Sequence, residues 1–363
     1  MAEGTGISPQ RRFKGMYSEC AARLRSRESF KKEASFRHYW STVQSISRAI
    51  LVLICVILVI CALGFSSTSI ILRNANDFGR QCLPKRGNTP AYFQLLNFAM
   101  VTCSDGSSTI PGRSFEGVME IVAPNKEAYV ERHGYDFIDA SSLLDSSRPP
   151  SWSKILAVKE HLSQYDWLFW NDADSAVTNP DIKLGDIVFS AVGDVKPEEM
   201  PDFIVTEDVT GVNAGMFFFR NSDWSREFLD RWWNQTEFIQ PFGQSKSGDN
   251  TALKYLLNVM DKGEFSRHVR IPDMQCLFNS NLWRPSWRSC HRLVTLTKAV
   301  WRGVYARGDF MVHLAGLNDK SRWMRNVLFE ADSWRKQLNL NERVQTAHGI
   351  SSFRKKLSSA LSA

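Results

Sequence analysis

Hydrophobic residues run along this chain in three rhythms. The first is continuous: no charged residue occurs from 49 to 72, where the sequence reads AILVLICVILVICALGF and then SSTSIIL. About 20 apolar residues at 1.5 Å each span the hydrocarbon of a bilayer. The run therefore predicts one transmembrane helix, bracketed by Arg48 and Arg73. A cleaved signal peptide fits less well, because its apolar region is about 7–15 residues long and its leader is short. The second rhythm is the short solid apolar run of a buried strand. AYFQLLNFAMVT from Ala91, YDFIDA from Tyr135, DWLFW from Asp166, DFIVTE from Asp202 and VNAGMFFFR from Val212 carry it. The third is helical spacing, over 124–133 (Pro124 at the start, Gly134 as a stop), 152–162, 223–233 and 249–260. Strands alternating with helices predict an α/β fold with a largely parallel sheet.

These patterns divide the chain into a basic tail over 1–48, an anchor over 49–72, a short stem over 73–90, a catalytic-sized domain over 91–340, and a flexible basic tail over 341–363. The net charge of +7 for 363 residues at first suggests nucleic acid. Its distribution argues against that: residues 1–48 hold ten Lys/Arg and four Asp/Glu, a net +6, so the rest is nearly neutral. The same basic excess favours a cytosolic N-terminus, which gives a type II arrangement with everything after about Leu72 in a lumen. Cys82, Cys103, Cys276 and Cys290 then lie where oxidation is permitted. Cys276 and Cys290, close in sequence across a Pro- and Trp-containing loop, are expected to pair. Asn234-Gln235-Thr236 is the only Asn-x-Ser/Thr sequon after the anchor, so Asn234 is the candidate glycosylation site.

The chemistry centres on WLFWNDADSAVTNP, from Trp167 to Pro180. An apolar strand runs into Asp172-Ala173-Asp174, and in an extended chain residues two apart point the same way. Open α/β sheets bind ligands at the carboxyl ends of their strands. Two hard oxygen ligands there suit Mn²⁺ or Mg²⁺, which would neutralise a diphosphate.

The run resembles the family 34 glycosyltransferases, which include xyloglucan xylosyltransferases, galactomannan galactosyltransferases and yeast α-mannosyltransferase subunits. The resemblance extends over residues 91–318 in family order. Asn125-Lys126-x-x-Tyr129-x-x-x-His133-Gly134-Tyr135-Asp136, Trp152-Ser153-Lys154, Gly211-Val212-Asn213-Ala214-Gly215-x-Phe217, Asp249-Asn250-x-Ala252-Leu253 and Met311-Val312-His313-Leu314-x-Gly316 carry it. It implies a GT-A fold, retention of anomeric configuration, and Mn²⁺ (or Mg²⁺) held by Asp172, Asp174 and a distant His313. It implies that Asp249 and Asn250 lie near the reacting sugar, with Asn213, Gly215 and Gly316 beside donor and acceptor. Where the family often has a Lys for the diphosphate this chain has Asn318, which makes Lys320 the nearest candidate. Where the family commonly reads Asp-Asp-Gln it has Gly248-Asp249-Asn250, and residues 270–297 have no clear counterpart.

The expected function is metal-dependent transfer of a hexose or pentose from a nucleotide sugar to a glycan acceptor, on a Golgi membrane, alone or in an oligomer with other transferases. UDP-galactose and UDP-xylose lead as donors, ahead of GDP-mannose. One alternative is a non-catalytic luminal scaffold for a transferase complex. The other is a haloacid-dehalogenase-type phosphatase with Asp172 as nucleophile, although that motif wants Thr or Val where this chain has Ala176.

Overall fold

The computed structural model describes residues 9–82, 89–106, 114–244 and 246–361. They fall into two units, 1–67 and 68–363. The first is most of helix α1 (Pro9–Arg73), which contains a stretch long and apolar enough to cross a membrane.

In chain order the second unit begins with α2 (Ala91–Leu95), β1 (Phe98–Thr102), α3 (Met119–His133), β2 (Asp136–Asp139), α4 (Ser153–His161), β3 (Trp167–Asn171), β4 (Ser175–Val177) and α5 (Leu184–Val192). It continues with β5 (Phe203–Asp208), β6 (Gly211–Arg220), α6 (Asp223–Trp233), α7 (Asp249–Val259), α8 (Lys262–His268), β7 (Val269–Arg270) and β8 (Ser280–Asn281). Last come α9 (Trp287–Thr295), α10 (Thr297–Gly303), β9 (Met311–His313) and α11 (Lys320–Leu361).

The main sheet has strand order β2-β1-β3-β6-β5-β7. Alternate residues feed opposite faces, as the two-residue period of a strand requires. Ala99, Leu168, Trp170, Phe217 and Phe219 pack under α4, α6 and α7, among Trp152, Ile155, Phe228, Trp232 and Leu253. Phe98, Phe169, Met216 and Phe218 pack on the other side against Phe93 of α2, Tyr129 of α3 and Leu184 of α5. Both faces are covered, which is why these strands read as solid apolar runs. A second sheet, β4-β9-β8, packs against α3 and α11 through Ala176, Val312, Val122, Met324 and Val327.

The sheet is mixed rather than largely parallel. β1 runs parallel to both neighbours, but β6 is antiparallel to β3 and β5. Only Val209 and Thr210 separate Asp208 from its partner Gly211, and a two-residue connection can make only a hairpin. Gly211 takes φ +100° there, which a residue with a side chain rarely adopts.

Several expected boundaries shift. The strand expected from Ala91 starts at Phe98; Ala91–Leu95 is one helical turn burying only Phe93. The helix expected from Pro124 starts at Met119, because Val122 is fully buried and its packing outweighs the hydrogen bond that Pro124 cannot donate. Gly134 ends it at φ +69°, as expected of a glycine stop. The part of the stem before residue 83 is not loose. Arg80 and Asp309 form an ion pair with both side chains fully buried, and Cys82 is disulfide-bonded to Cys276. Residues 83–88 lie outside the described ones. The expected Cys276–Cys290 pair is thus replaced by one closing 194 positions, with Cα atoms 5.5 Å apart. Nearness along the chain misled here: Cys276 is buried against Cys82, whereas Cys290 is carried away on α9 as a free thiol. Beyond about Asn341, where a flexible tail is expected, α11 continues as helix to Leu361.

Candidate active site

β3 is buried throughout and delivers the chain to the rim of the sheet at Asn171. There the Asp172 N–H donates to the Gly215 carbonyl of β6 at 2.8 Å. The two aspartates are not on one face of an extended segment. The chain turns at once: the Ser175 hydroxyl and N–H both donate to the Asp172 carbonyl, at 2.6 and 3.1 Å. That turn starts β4, whose Ser175 lies opposite His313 in the antiparallel pairing with β9. Strand pairing, not local spacing, therefore brings the imidazole to the aspartates. His313 Nε2 stands 3.4 Å from Asp174 Oδ1 and 3.9 Å from Asp172 Oδ2. One ligand atom from each of the three residues lies within 4.8 Å of the others. An octahedral ion with bonds of ~2.1 Å separates its ligand atoms by roughly 3–4.3 Å, so the donor set suits a Mg²⁺- or Mn²⁺-like ion.

The imidazole is oriented from behind. Its Nδ1 lies 3.0 Å from Asn279 Oδ1, and the Asn279 amide donates to Thr206 Oγ1 at 2.9 Å. That contact holds the ring by Nδ1 and turns Nε2 toward the aspartates. Beneath the ring sits Gly215, where a Cβ would lie 2.3 Å from His313 Cε1. Gly215 lines the cleft, and its missing side chain makes room for the imidazole.

Each aspartate gives one oxygen to a buried ammonium and turns the other toward His313. Asp172 Oδ1 accepts from Lys154 Nζ at 3.1 Å and Trp170 Nε1 at 2.8 Å. Asp174 Oδ2 accepts from Lys320 Nζ. Burial alone would raise the Asp174 carboxyl pKa, but Lys320 and His313 overcome it and hold the group well below the usual range. Lys154 also reaches Asp249 Oδ2 at 3.2 Å and the Ala214 carbonyl at 2.9 Å. Burial works against its charge, yet Asp172 and Asp249 together keep it firmly protonated. Asp249 opens α7; burial opposes its charge too, and Lys154 with the hydroxyls of Ser247 and Ser151 lowers its pKa. Lys126 is fully buried, 3.4 Å from the Asp172 carbonyl, and burial pulls its ammonium down to about 7.

The remaining expected residues lie around the same cleft of about 650 Å³. Asn213 lines it while tying Asp208 to the Gly215 N–H. Asn250 is on its wall, with its side-chain Oδ1 accepting from the Ala214 N–H at 2.7 Å. Gly316 and Lys320 line it as well. Asn234 is apart from it, exposed at the C-terminal end of α6. Cys103 also lines the cleft, but burial, reinforced by the Asp172 carboxylate against the pull of Lys154, pushes its thiol up to about 12. It stays protonated and is a poor nucleophile. Sequence reasoning passes over Lys154 and Lys126 as motif filler and misses Asn279 entirely. The lysines had a usable signal, being cations on helix faces that otherwise read as apolar. Asn279 had none.

The sequence pattern of the galactosyl transferase GMA12/MNN10 family matches residues 96–196 and 191–323, well over half the chain. A probable alpha-1,6-mannosyltransferase MNN10 of Saccharomyces cerevisiae is 24% identical over 159 residues, 36% of this chain and 40% of that protein. An alpha-1,2-galactosyltransferase of Schizosaccharomyces pombe is 23% identical over 235 residues, 54% of this chain and 56% of its own length. The chain thus spans about half the length of these relatives. Among solved structures, a glycosyltransferase involved in glycosylation of the major capsid of PBCV-1 covers 64% of this chain and 98% of its own, at 13% identity and TM-score 0.42. The family match takes in β1, the turn at Asp172–Asp174, the β5–β6 hairpin, Asp249 and His313 alike, and the chain belongs to the galactosyl transferase GMA12/MNN10 family.

Proposed function

We propose that the protein is a metal-dependent glycosyltransferase that moves a hexose or pentose from a nucleotide sugar to a glycan acceptor. The observation that carries this reading is the convergence of Asp172 Oδ2, Asp174 Oδ1 and His313 Nε2 within one ion's reach, at the rim of a large cleft. A bound Mn²⁺ or Mg²⁺ would supply Lewis-acid stabilisation of the departing diphosphate. The two carboxylates and the imidazole would hold it, with His313 fixed by Asn279. Lys320 lies where its ammonium can also meet phosphate oxygens, and it is the residue we assign to the diphosphate. Asp249 and Asn250, which line the same cleft, would position the sugar and face the cation-like centre as the sugar–phosphate bond breaks. Asn213 and Gly215 form the strand beside donor and acceptor.

Galactose and mannose, the sugars in the relatives' names, support UDP-galactose and GDP-mannose among the donors; UDP-xylose stays in the set from the motif resemblance. The apolar stretch within the helix over 25–73 and the basic excess before residue 49 support a type II anchor in the Golgi membrane, with Asn234 exposed on the luminal side for glycosylation. The test is transfer by the full chain purified in detergent, with Mn²⁺ and each of the three donors. Metal-dependent turnover of one donor is the expected result. No turnover of any donor in the presence of candidate glycan acceptors, with Mn²⁺ binding absent as well, overturns the enzyme reading in favour of a scaffold.

A further inference from the structure

Metal sites are usually built from carboxylates with negative charge to spare. This one is not. Asp172 and Asp249 share the Lys154 ammonium, and Asp174 holds that of Lys320. Lys126 stands behind the Asp172 carbonyl. Little net negative charge is left for a bare dication.

The Lys320 ammonium is held in a purpose-shaped place. Besides Asp174 Oδ2 it donates to the Leu314 carbonyl at 3.0 Å, and it lies 4.9 Å from the centre of the Phe115 ring. Its side chain is only 3% exposed. The preceding residue, Asp319, has φ +52°, the one positive φ outside glycine among the described residues. It directly precedes Lys320, the first residue of α11, which lines the cleft. The ammonium occupies one oxygen of a carboxylate whose other oxygen faces the His313 imidazole.

We propose that Lys320 is a built-in counterion that makes metal binding conditional on the donor's diphosphate. The inference rests on the metal-site reading and goes beyond it. A dication entering alone meets the Lys320 charge across a single carboxylate, in a buried setting where repulsion is weakly screened. A diphosphate supplies the negative charge for both cations at once. Metal and nucleotide therefore bind with strong positive coupling, and by linkage each tightens the other by the same factor.

The experiment is Mn²⁺ binding to the full chain in detergent, read from the electron paramagnetic resonance of free Mn²⁺, with and without UDP. In the wild type, UDP is expected to tighten Mn²⁺ by about tenfold or more, the scale of a typical coupling. In Lys320→Met, Mn²⁺ alone binds about tenfold tighter than to the wild type, and the gain from UDP shrinks by a similar factor. Lys320→Arg keeps the charge and follows the wild type. A Lys320→Met protein that binds Mn²⁺ no tighter, or more weakly with and without UDP alike, overturns the proposal and makes Lys320 a prop for Asp174. If that variant does not fold, the wild type decides: equal Mn²⁺ affinity with and without UDP refutes the coupling. A wild type that holds no Mn²⁺ even with saturating UDP sinks the metal-site reading itself, a result distinct from the loss of coupling alone.

Discussion

Two of the places where this domain buries carboxylates against cations are finished differently. At Asp309 every acceptor is taken. Oδ1 receives Asn76 at 2.8 Å and Arg80 at 2.7 Å; Oδ2 receives Arg80 at 2.6 Å, Ser280 at 2.9 Å and the Ala306 N–H at 2.9 Å. Arg80 spends its other donors on Asn76 and the carbonyls of Trp301 and Val304. In the cleft, Asp172 and Asp174 each commit one oxygen to lysine and leave the other pointing at His313. A saturated buried pair fixes structure, because water and ligands have nothing left to bind. A half-saturated one retains the capacity for chemistry, and its counterions regulate what may enter.

Breaking the saturated pair should have the largest effect. Arg80→Met strands the Asp309 carboxylate, and losing one partner of a buried pair costs about 3–5 kcal/mol. Denaturant unfolding should show that loss, while Mn²⁺ affinity in the presence of UDP stays at the wild-type value for the folded fraction. Weakened binding without lost stability would erase the distinction between the two clusters.

Next in size is Cys276→Ser, which removes the cross-link holding the segment after the apolar helix next to this clamp. Removing a native disulfide typically costs about 2–5 kcal/mol. Mass mapping without reductant should find Cys82 joined to Cys276 and Cys290 open to alkylation.

On the cleft side, Asp174→Asn keeps the shape and removes a charge. Transfer activity should fall by more than about 100-fold, or ~2.7 kcal/mol in the barrier, in a protein that still folds. His313→Ala should raise the Mn²⁺ needed for half-maximal activity; unchanged Mn²⁺ dependence would remove His313 from the site.

The smallest effect sharpens the geometry. Gly215→Ala would put a Cβ 2.3 Å from His313 Cε1, so the ring must move. Weakening of Mn²⁺ by about tenfold, the lower end of losses from groups that orient a metal ligand, is expected, with the donor preference unchanged. A loss confined to donor affinity would instead return Gly215 to a role against the sugar alone.

The strands and helices that the hydrophobic rhythm marks most strongly are legible in the sequence. Trp167–Asn171, Gly211–Arg220, Asp223–Trp233 and Asp249–Val259 all fall where solid apolar runs or helical spacing put them. The errors cluster where pairing between distant segments decides. Asp208 and Gly211 close a hairpin that turns the sheet mixed. Cys82 rather than Cys290 meets Cys276. The pair of aspartates is visible in the sequence, but extended alternation is not what makes them converge: a turn at Asp172–Ser175 takes its place.

By itself the sequence determined the apolar helix near the N-terminus, the α/β character of the domain beyond it, the strand that delivers Asp172 and Asp174 to a rim, and, through its ordered motifs, the family. These depend on local periodicity and on residue identity, both of which are properties of the linear chain. Tertiary structure alone decided that β4 and β9 would pair to bring His313 to the aspartates. It decided too that Gly215 would make room for the ring, that Asn279 would orient it, and that Lys154 and Lys320 would sit on the carboxylates. Each of these contacts joins residues far apart along the chain, and the charge on a site is a sum over neighbours that only folding assembles.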